Sequence, residues 1–334
     1  MPTWGGILKE LNLTAKPQEN KPPEFDRVRR KYLTLLSDHT KRDVILYATK
    51  WTQGDANATP DVLSIVPEDI QGLMEVVNGL SNKSLDLILH SPGGVTTVVE
   101  PFVLYLRSKF DDIRVIEPQA AMSAATMISC ASNRIVMGKH SFLGPIDPQM
   151  MLPTPLGQRL VPCQAILEQF EMAKKQCVGP ANLTAWLPML SQFGPDLLVQ
   201  CANASSLSES LVGVFLRDYM FKGQPDAATK AAEIAKWLSS HSEFKSHGRF
   251  LPRAVLRDKG LIIDSLEDDS TLQDLVLSIF HTTTHTFSHT GAMKIIENQM
   301  GKAFCKSINV LQFIPGVHAE NAPSLPPVKI PRVP

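Results

Sequence analysis

Between Asp43 and Met137, four short aliphatic runs alternate with segments of helical periodicity, and this rhythm limits the possible folds more than any other feature of the 334-residue chain. The runs are Asp43-Val-Ile-Leu-Tyr-Ala, Leu85-Asp-Leu-Ile-Leu-His90, Ile113-Arg-Val-Ile116 and Arg134-Ile-Val-Met137. Predicted helices at Pro67–Leu80, Val95–Phe110 and Ser123–Ser132 separate them. Strand–helix–strand units of this length read as right-handed βαβ crossovers, and hence as an α/β fold with a largely parallel sheet. In such a sheet the reactive groups collect in loops beyond the carboxyl ends of the strands. Those loops begin here after His90 and after Ile116.

A helix over Asp26–Asp38 precedes the first strand, and residues 1–25, polar and Pro-containing, read as a flexible N-terminal arm. From Cys163 onward the pattern becomes helical, over Cys163–Cys177, Pro195–Phe221, Asp226–Ser240 and Leu272–Thr284, with one short strand at Leu261-Ile-Ile263. The expected layout is a main domain over 26–265, a C-terminal helical extension over 266–314 and a Pro-rich tail over 315–334, which holds six prolines. No internal repeat is visible.

Composition removes several function classes. Lys plus Arg and Asp plus Glu both number 33, so the formal charge is zero and the basic excess of a general nucleic-acid binder is missing. No apolar run is long enough for a membrane span, and the first residues lack the order of a secretion signal. Five scattered cysteines without a Cys-x-x-Cys pair argue against a disulfide framework or a cysteine zinc site, and for a cytoplasmic protein. His281, His285 and His289 recur every fourth residue, but no acidic or cysteine partner is close in sequence, so a metal site is not expected.

The most informative stretch is Leu89-His90-Ser91-Pro92-Gly93-Gly94, which ends a strand and opens a helix. Paired glycines let backbone amides approach a ligand closely, and the helix amino end adds partial positive charge. This is equipment for an oxyanion or a phosphate. Neither dinucleotide nor P-loop spacing is present. The second stretch is Pro118-Gln-Ala-Ala-Met-Ser123-Ala-Ala-Thr126, where Ser123 lies among small residues 29 positions beyond Gly94. A serine at a helix start is most often a simple N-cap. Adjacent parallel strands, however, would bring Ser123 to face the Gly-Gly amides.

Taken together, Leu-His-Ser-Pro-Gly-Gly (89–94), Ala-Met-Ser-Ala (121–124), Met-Gly-Lys-His-Ser-Phe-Leu-Gly-Pro-Ile-Asp-Pro-Gln (137–149) and Phe-Lys-Ser-His-Gly-Arg (244–249) resemble the serine dehydrogenase proteinase family. This is a ClpP-class group related to signal peptide peptidase A. The resemblance implies a ClpP/crotonase-like spiral of βαβ units with additional C-terminal helices. It implies a serine endopeptidase without a cofactor, acting on a peptide or protein substrate and forming a homo-oligomer. Ser123 would be the nucleophile; Gly93, Gly94 and the amide of Ala124 would bind the oxyanion. The edge near Ser91–Gly94 would hold an extended peptide by strand addition. A catalytically weak scaffold of the same fold, and crotonase-type acyl-CoA chemistry, are the alternatives.

The general base is open at this stage. The position equivalent to the histidine of the Clp protease itself falls at Ile146, beside Asp147, and His140 is six residues too early. The signal-peptide-peptidase relatives use a lysine. On a helix of about 100° per residue, Lys174 falls on the side of Ile166, Phe170, Ala173 and Cys177, while Lys175 shares the polar side with Glu168 and Glu171. Burial would lower the lysine pKa, as a neutral base requires. His247 is the rival, with Asp147 as its orienting carboxylate; imidazole needs no such perturbation. The lysine is preferred.

Overall fold

The computed structural model describes residues 2–16, 18, 21–55, 58–154 and 157–308. The Pro-rich tail lies outside the described residues. Helix α1 (Trp4–Thr14) and helix α2 (Phe25–Thr40) lead into strand β1 (Asp43–Thr49). Helices α3 (Pro60–Leu63) and α4 (Asp69–Val77), strand β2 (Ser84–His90), helix α5 (Thr96–Arg107) and strand β3 (Asp112–Glu117) follow. The two-residue strand β4 (Ala120–Ala121), helix α6 (Ala124–Cys130) and strand β5 (Arg134–Met137) complete the region of strict alternation.

Strand β1 is buried along its whole length and is apolar on both faces from Val44 to Ala48, as a sheet covered on both sides requires. Val44, Leu46 and Ala48 of β1 face one way and join Leu33 and Leu36 of α2. Ile45 and Tyr47 face the other way and join Leu73 and Val76 of α4 and Phe102 of α5. The period of two thus feeds two cores, and the result is a three-layer α/β/α arrangement.

The second half adds strands β6 (Phe142–Leu143), β7 (Gln149–Thr154) and β8 (Gly157–Pro162), then helices α7 (Cys163–Gln176), α8 (Pro180–Leu190) and α9 (Leu197–Phe215). Helices α10 (Ala227–Ser239) and α11 (His241–Phe244), strand β9 (Leu251–Pro252), helix α12 (Arg253–Asp258) and strand β10 (Ile263–Ser265) come next. Helix α13 (Ser270–His289) and strands β11 (Ala292–Asn298) and β12 (Ala303–Ser307) end the described chain. The seven-stranded sheet has the order β10-β5-β3-β2-β1-β11-β12. From β10 to β1 the strands are parallel; β11 is antiparallel to β1, and β12 to β11.

Two boundaries differ from the sequence expectation. Residues 1–25 are more than an arm: Ile7 and Leu11, one helical turn apart, are buried with Val28. The segment 266–314 is not purely helical either, because β11 and β12 extend the central sheet beyond β1. The sequence of β11, Ala-Met-Lys-Ile-Ile-Glu-Asn, hides this because Lys294 and Glu297 are fully buried by partners distant in sequence. The strand read at Leu261–Ile263 is placed slightly later, at β10. The β7–β8 hairpin, with α7 and α9, encloses a small separate core of Cys163, Ile166, Leu197 and Cys201.

Candidate active site

The two stretches singled out after β2 and β3 meet. Ser91 donates its backbone amide to Ala120 O at 3.2 Å, and Met122 N donates to Ser91 O at 2.9 Å. This pairing delivers the chain to Ser123, which has φ 52° and ψ −118°. A non-glycine residue in that region costs about 1–3 kcal/mol and persists only where its surroundings impose it. Ser123 precedes α6, yet its hydroxyl makes no capping hydrogen bond, so it is not there as an N-cap. The side chain is half-buried, and among the described residues Ser123 Oγ has no hydrogen-bond partner.

Gly93 has φ 95° and presses directly on this turn. A Cβ there would lie 2.6 Å from Met122 O, 2.8 Å from Ser123 Cβ and 2.9 Å from Ala124 N, closer than real contacts allow. The glycine is therefore required by backbone approach to the serine. Gly93 N donates to Ser91 Oγ at 3.2 Å. Among the described residues the amides of Gly94 and Ala124 donate to nothing, and Ala124 N is the first amide of α6.

A second set of residues converges through a small three-stranded sheet, β4-β6-β9. Ala121 pairs with Leu143 in parallel, and Leu143 with Leu251 in antiparallel register. Ser123 follows Ala121, Asp147 follows Leu143, and His247 precedes Leu251, so all three lie beyond the same end of this sheet. Asp147 is only 1% exposed. Its Oδ1 accepts from His247 Nδ1 at 2.8 Å, and its Oδ2 from His241 Nδ1 at 2.9 Å. A carboxylate oxygen fixes the proton of each ring on Nδ1, which leaves Nε2 as the acceptor nitrogen. Nε2 of His247 has no partner among the described residues.

The sequence reading missed His241. It sits on a four-residue helix, and no pattern marks it apart from its nearness to His247. Two other expectations need correction. Lys174, expected on the buried side of α7, is 57% exposed and ion-pairs with Glu171 at 2.9 Å. Only Cys163, Ile166 and Ala173 of α7 are buried, so the apolar stripe is narrower than the four-residue face drawn from the sequence. Lys175 is exposed, in keeping with its expected place on the polar side of the helix. Ser91 is fully buried, and both of its backbone groups are taken by the 120–122 segment. The edge at Gly93–Val95 is also occupied: Ile65 N donates to Gly93 O at 2.7 Å and Val95 N to Ile65 O at 2.9 Å. The chain itself thus fills the edge on which a peptide was expected to add.

His90 packs between Trp51 and Phe280, and burial lowers its pKa to about 3, so it stays neutral and closes the strand end. His285 Nε2 lies 3.0 Å from Trp4 O, and His289 Nδ1 lies 2.9 Å from His285 O. No group of three or more His, Cys, Asp or Glu side chains among the described residues is placed to hold a metal ion. No helix among them is long and apolar enough to cross a membrane.

A glycine pair and a strained serine thus meet beyond the carboxyl ends of parallel strands in an α/β fold. Residues 62–176 match the family described as ClpP-like SDH-type serine proteinase, and the mixed α/β architecture is consistent with a ClpP-like fold. The segment includes Gly93, Gly94, Ser123, Ala124 and Asp147, and ends before His241 and His247. Two curated relatives come from Methanocaldococcus jannaschii. The uncharacterized protein MJ0137 is 31% identical over 128 residues, 38% of this chain and 45% of the relative. The uncharacterized protein MJ1495 is 37% identical over 86 residues, 26% of this chain and 27% of the relative. The chain thus spans less than half the length of the curated relatives it matches.

Proposed function

We propose that the chain is a cytoplasmic serine endopeptidase that forms an acyl-enzyme on Ser123. The observation that carries this reading is the strained, uncapped Ser123 held against Gly93 beside the unengaged amides of Gly94 and Ala124. Ser123 Oγ attacks the peptide carbonyl, and the Gly94 and Ala124 amides receive the negative charge that develops on its oxygen. Gly93 contributes by lacking a side chain. His247 Nε2 takes the serine proton and returns it to the leaving amine, while Asp147 holds the ring by Nδ1. His241 on the second Asp147 oxygen fixes the carboxylate in turn. The substrate is an extended peptide or protein segment, and the working form is a homo-oligomer.

A second reading, a latent or scaffold member of the family, draws on the absence of any base on Ser123 Oγ among the described residues. A fluorophosphonate probe separates the two. Labelling of the wild-type chain, lost in Ser123→Ala and in His247→Gln but kept in Lys174→Met, supports the peptidase. A native chain that takes no probe favours the scaffold.

A further inference from the structure

We propose that the buried cluster of Lys294, Asp69 and Tyr47 positions the Gly93–Gly94 backbone for catalysis, by gripping the chain on both sides of Ile65. The proposal rests on the reading of Ser123 as a nucleophile. Lys294 of β11 and Asp69 of α4 are both fully buried. Lys294 Nζ donates to Asp69 Oδ1 at 2.7 Å, to Asp69 Oδ2 at 2.8 Å and to Ser64 O at 2.7 Å. Asp69 Oδ2 also accepts from Tyr47 OH at 2.7 Å and from Val66 N at 3.0 Å. The cluster therefore ends on the carbonyl before Ile65 and the amide after it.

Ile65 passes that constraint on. Both of its own backbone groups are bonded to the glycine loop, to Gly93 O and from Val95 N. A Cβ on Gly94 would lie 2.3 Å from Ile65 O and 2.4 Å from Ile65 N, so the two backbones are in direct contact. Gly93 in turn abuts Ser123 and Ala124. An unbroken series of short contacts thus runs from a core ion pair to the serine.

Charge suits this task better than apolar packing. Well-packed apolar residues often stabilise a core as much as a buried ion pair does. They cannot hold a carbonyl and an amide in one orientation, whereas an ammonium and a carboxylate do so directionally. Burial lowers the pKa of Lys294 and raises that of Tyr47 well above its ordinary value, the mark of groups held away from water.

The test uses the full chain, a fluorophosphonate probe and amide hydrogen exchange. Lys294→Met combined with Asp69→Leu removes both charges together, so no lone ion is left buried. We expect a folded protein whose Ser123 labelling is slowed about ten- to a hundredfold, toward the loss of one oxyanion donor. We also expect faster exchange at the Ile65 and Val95 amides, with α5 and α6 unchanged. Labelling at the wild-type rate, or exchange that rises equally in α5 and α6, overturns the proposal. Should the double variant fail to fold, Tyr47→Phe removes a single bond to Asp69; slower labelling supports the positioning role and unchanged labelling overturns it. A wild-type chain that takes no probe defeats the peptidase reading alone, and exchange at Ile65 and Val95 still decides whether the cluster holds the glycine loop.

Discussion

The corner around Ser123 and the annex built from α7, α8 and α9 both follow from helix-forming stretches that carry a candidate catalytic group, yet they are held in opposite ways. At the corner, position is set by backbone. Gly93 abuts the turn, Ser123 takes a strained conformation, and the β4-β6-β9 register carries Asp147 and His247 to one end. In the annex a small core of four buried residues joins α7 to α9, and Lys174 and Lys175 near the end of α7 face solvent. A reactive group needs a fixed place and a controlled environment; the corner supplies both, and the exposed end of α7 supplies neither.

The contrast can be broken most directly at the proposed nucleophile. Ser123→Ala is expected to lower peptide hydrolysis on the order of a million-fold, with unfolding little changed, because the hydroxyl has no hydrogen-bond partner among the described residues. Retention of activity would move the chemistry elsewhere. Next in size is the proposed orienting carboxylate. Asp147→Asn should reduce acylation by about ten-thousand-fold, because an amide can leave His247 in the wrong tautomer. Replacing His241 with Gln should have a far smaller effect, and equal losses in the two variants would make them a single structural unit. At the backbone itself, Gly93→Ala places a Cβ 2.6 Å from Met122 O. A loss of at least about a hundredfold in acylation follows if that approach forms the oxyanion site, and full activity in a folded variant would reduce the glycine to a turn.

The corner also holds a buried acid that can be read in stability. Glu117, at the end of β3, accepts from Ser129 Oγ at 2.6 Å, and burial pushes its pKa well above 4.5. The folded state thus binds the proton more tightly than the unfolded chain. Its contribution is fully present below the unfolded pKa and is lost as pH rises, by about 1.4 kcal/mol per pH unit until the folded pKa is passed. Glu117→Gln should therefore gain stability over wild type as pH rises above about 4.5. Urea midpoints from acid to neutral pH measure this, and a constant difference across that range would count against it. The smallest effect is expected in the annex, where Lys174→Met should change acylation by less than about twofold, since exposed ion pairs contribute little.

The contrast also explains what could be read from sequence. All four strands of the alternating region were legible because Val, Ile and Leu on both faces leave a parallel sheet no other reading. The meeting of Gly93 and Ser123 was legible for the same reason, since two strand ends in sequence order become neighbours in space. Strand β11 was hidden because Lys294 and Glu297 look like surface residues until Asp69, Arg29 and Arg30 are brought to them. Lys174 was misread because a helical wheel gives direction but not the width of the partner surface. His241 lacked a signal of its own, since its role depends on the second oxygen of Asp147.

The placement of β11 has a consequence for how the chain is made. Ile45 pairs with Asn298, so one edge of β1 stays open until nearly the whole described chain has been synthesised. Every residue of the proposed site through His247 leaves the ribosome before that edge is closed. An open strand edge recruits other chains, and the nascent protein carries this hazard through most of its synthesis. Lys294 lies on the same late strand, so closing the sheet and locking the glycine loop become a single event. A chain cut short at the end of α13 should then lose solubility and reactivity together.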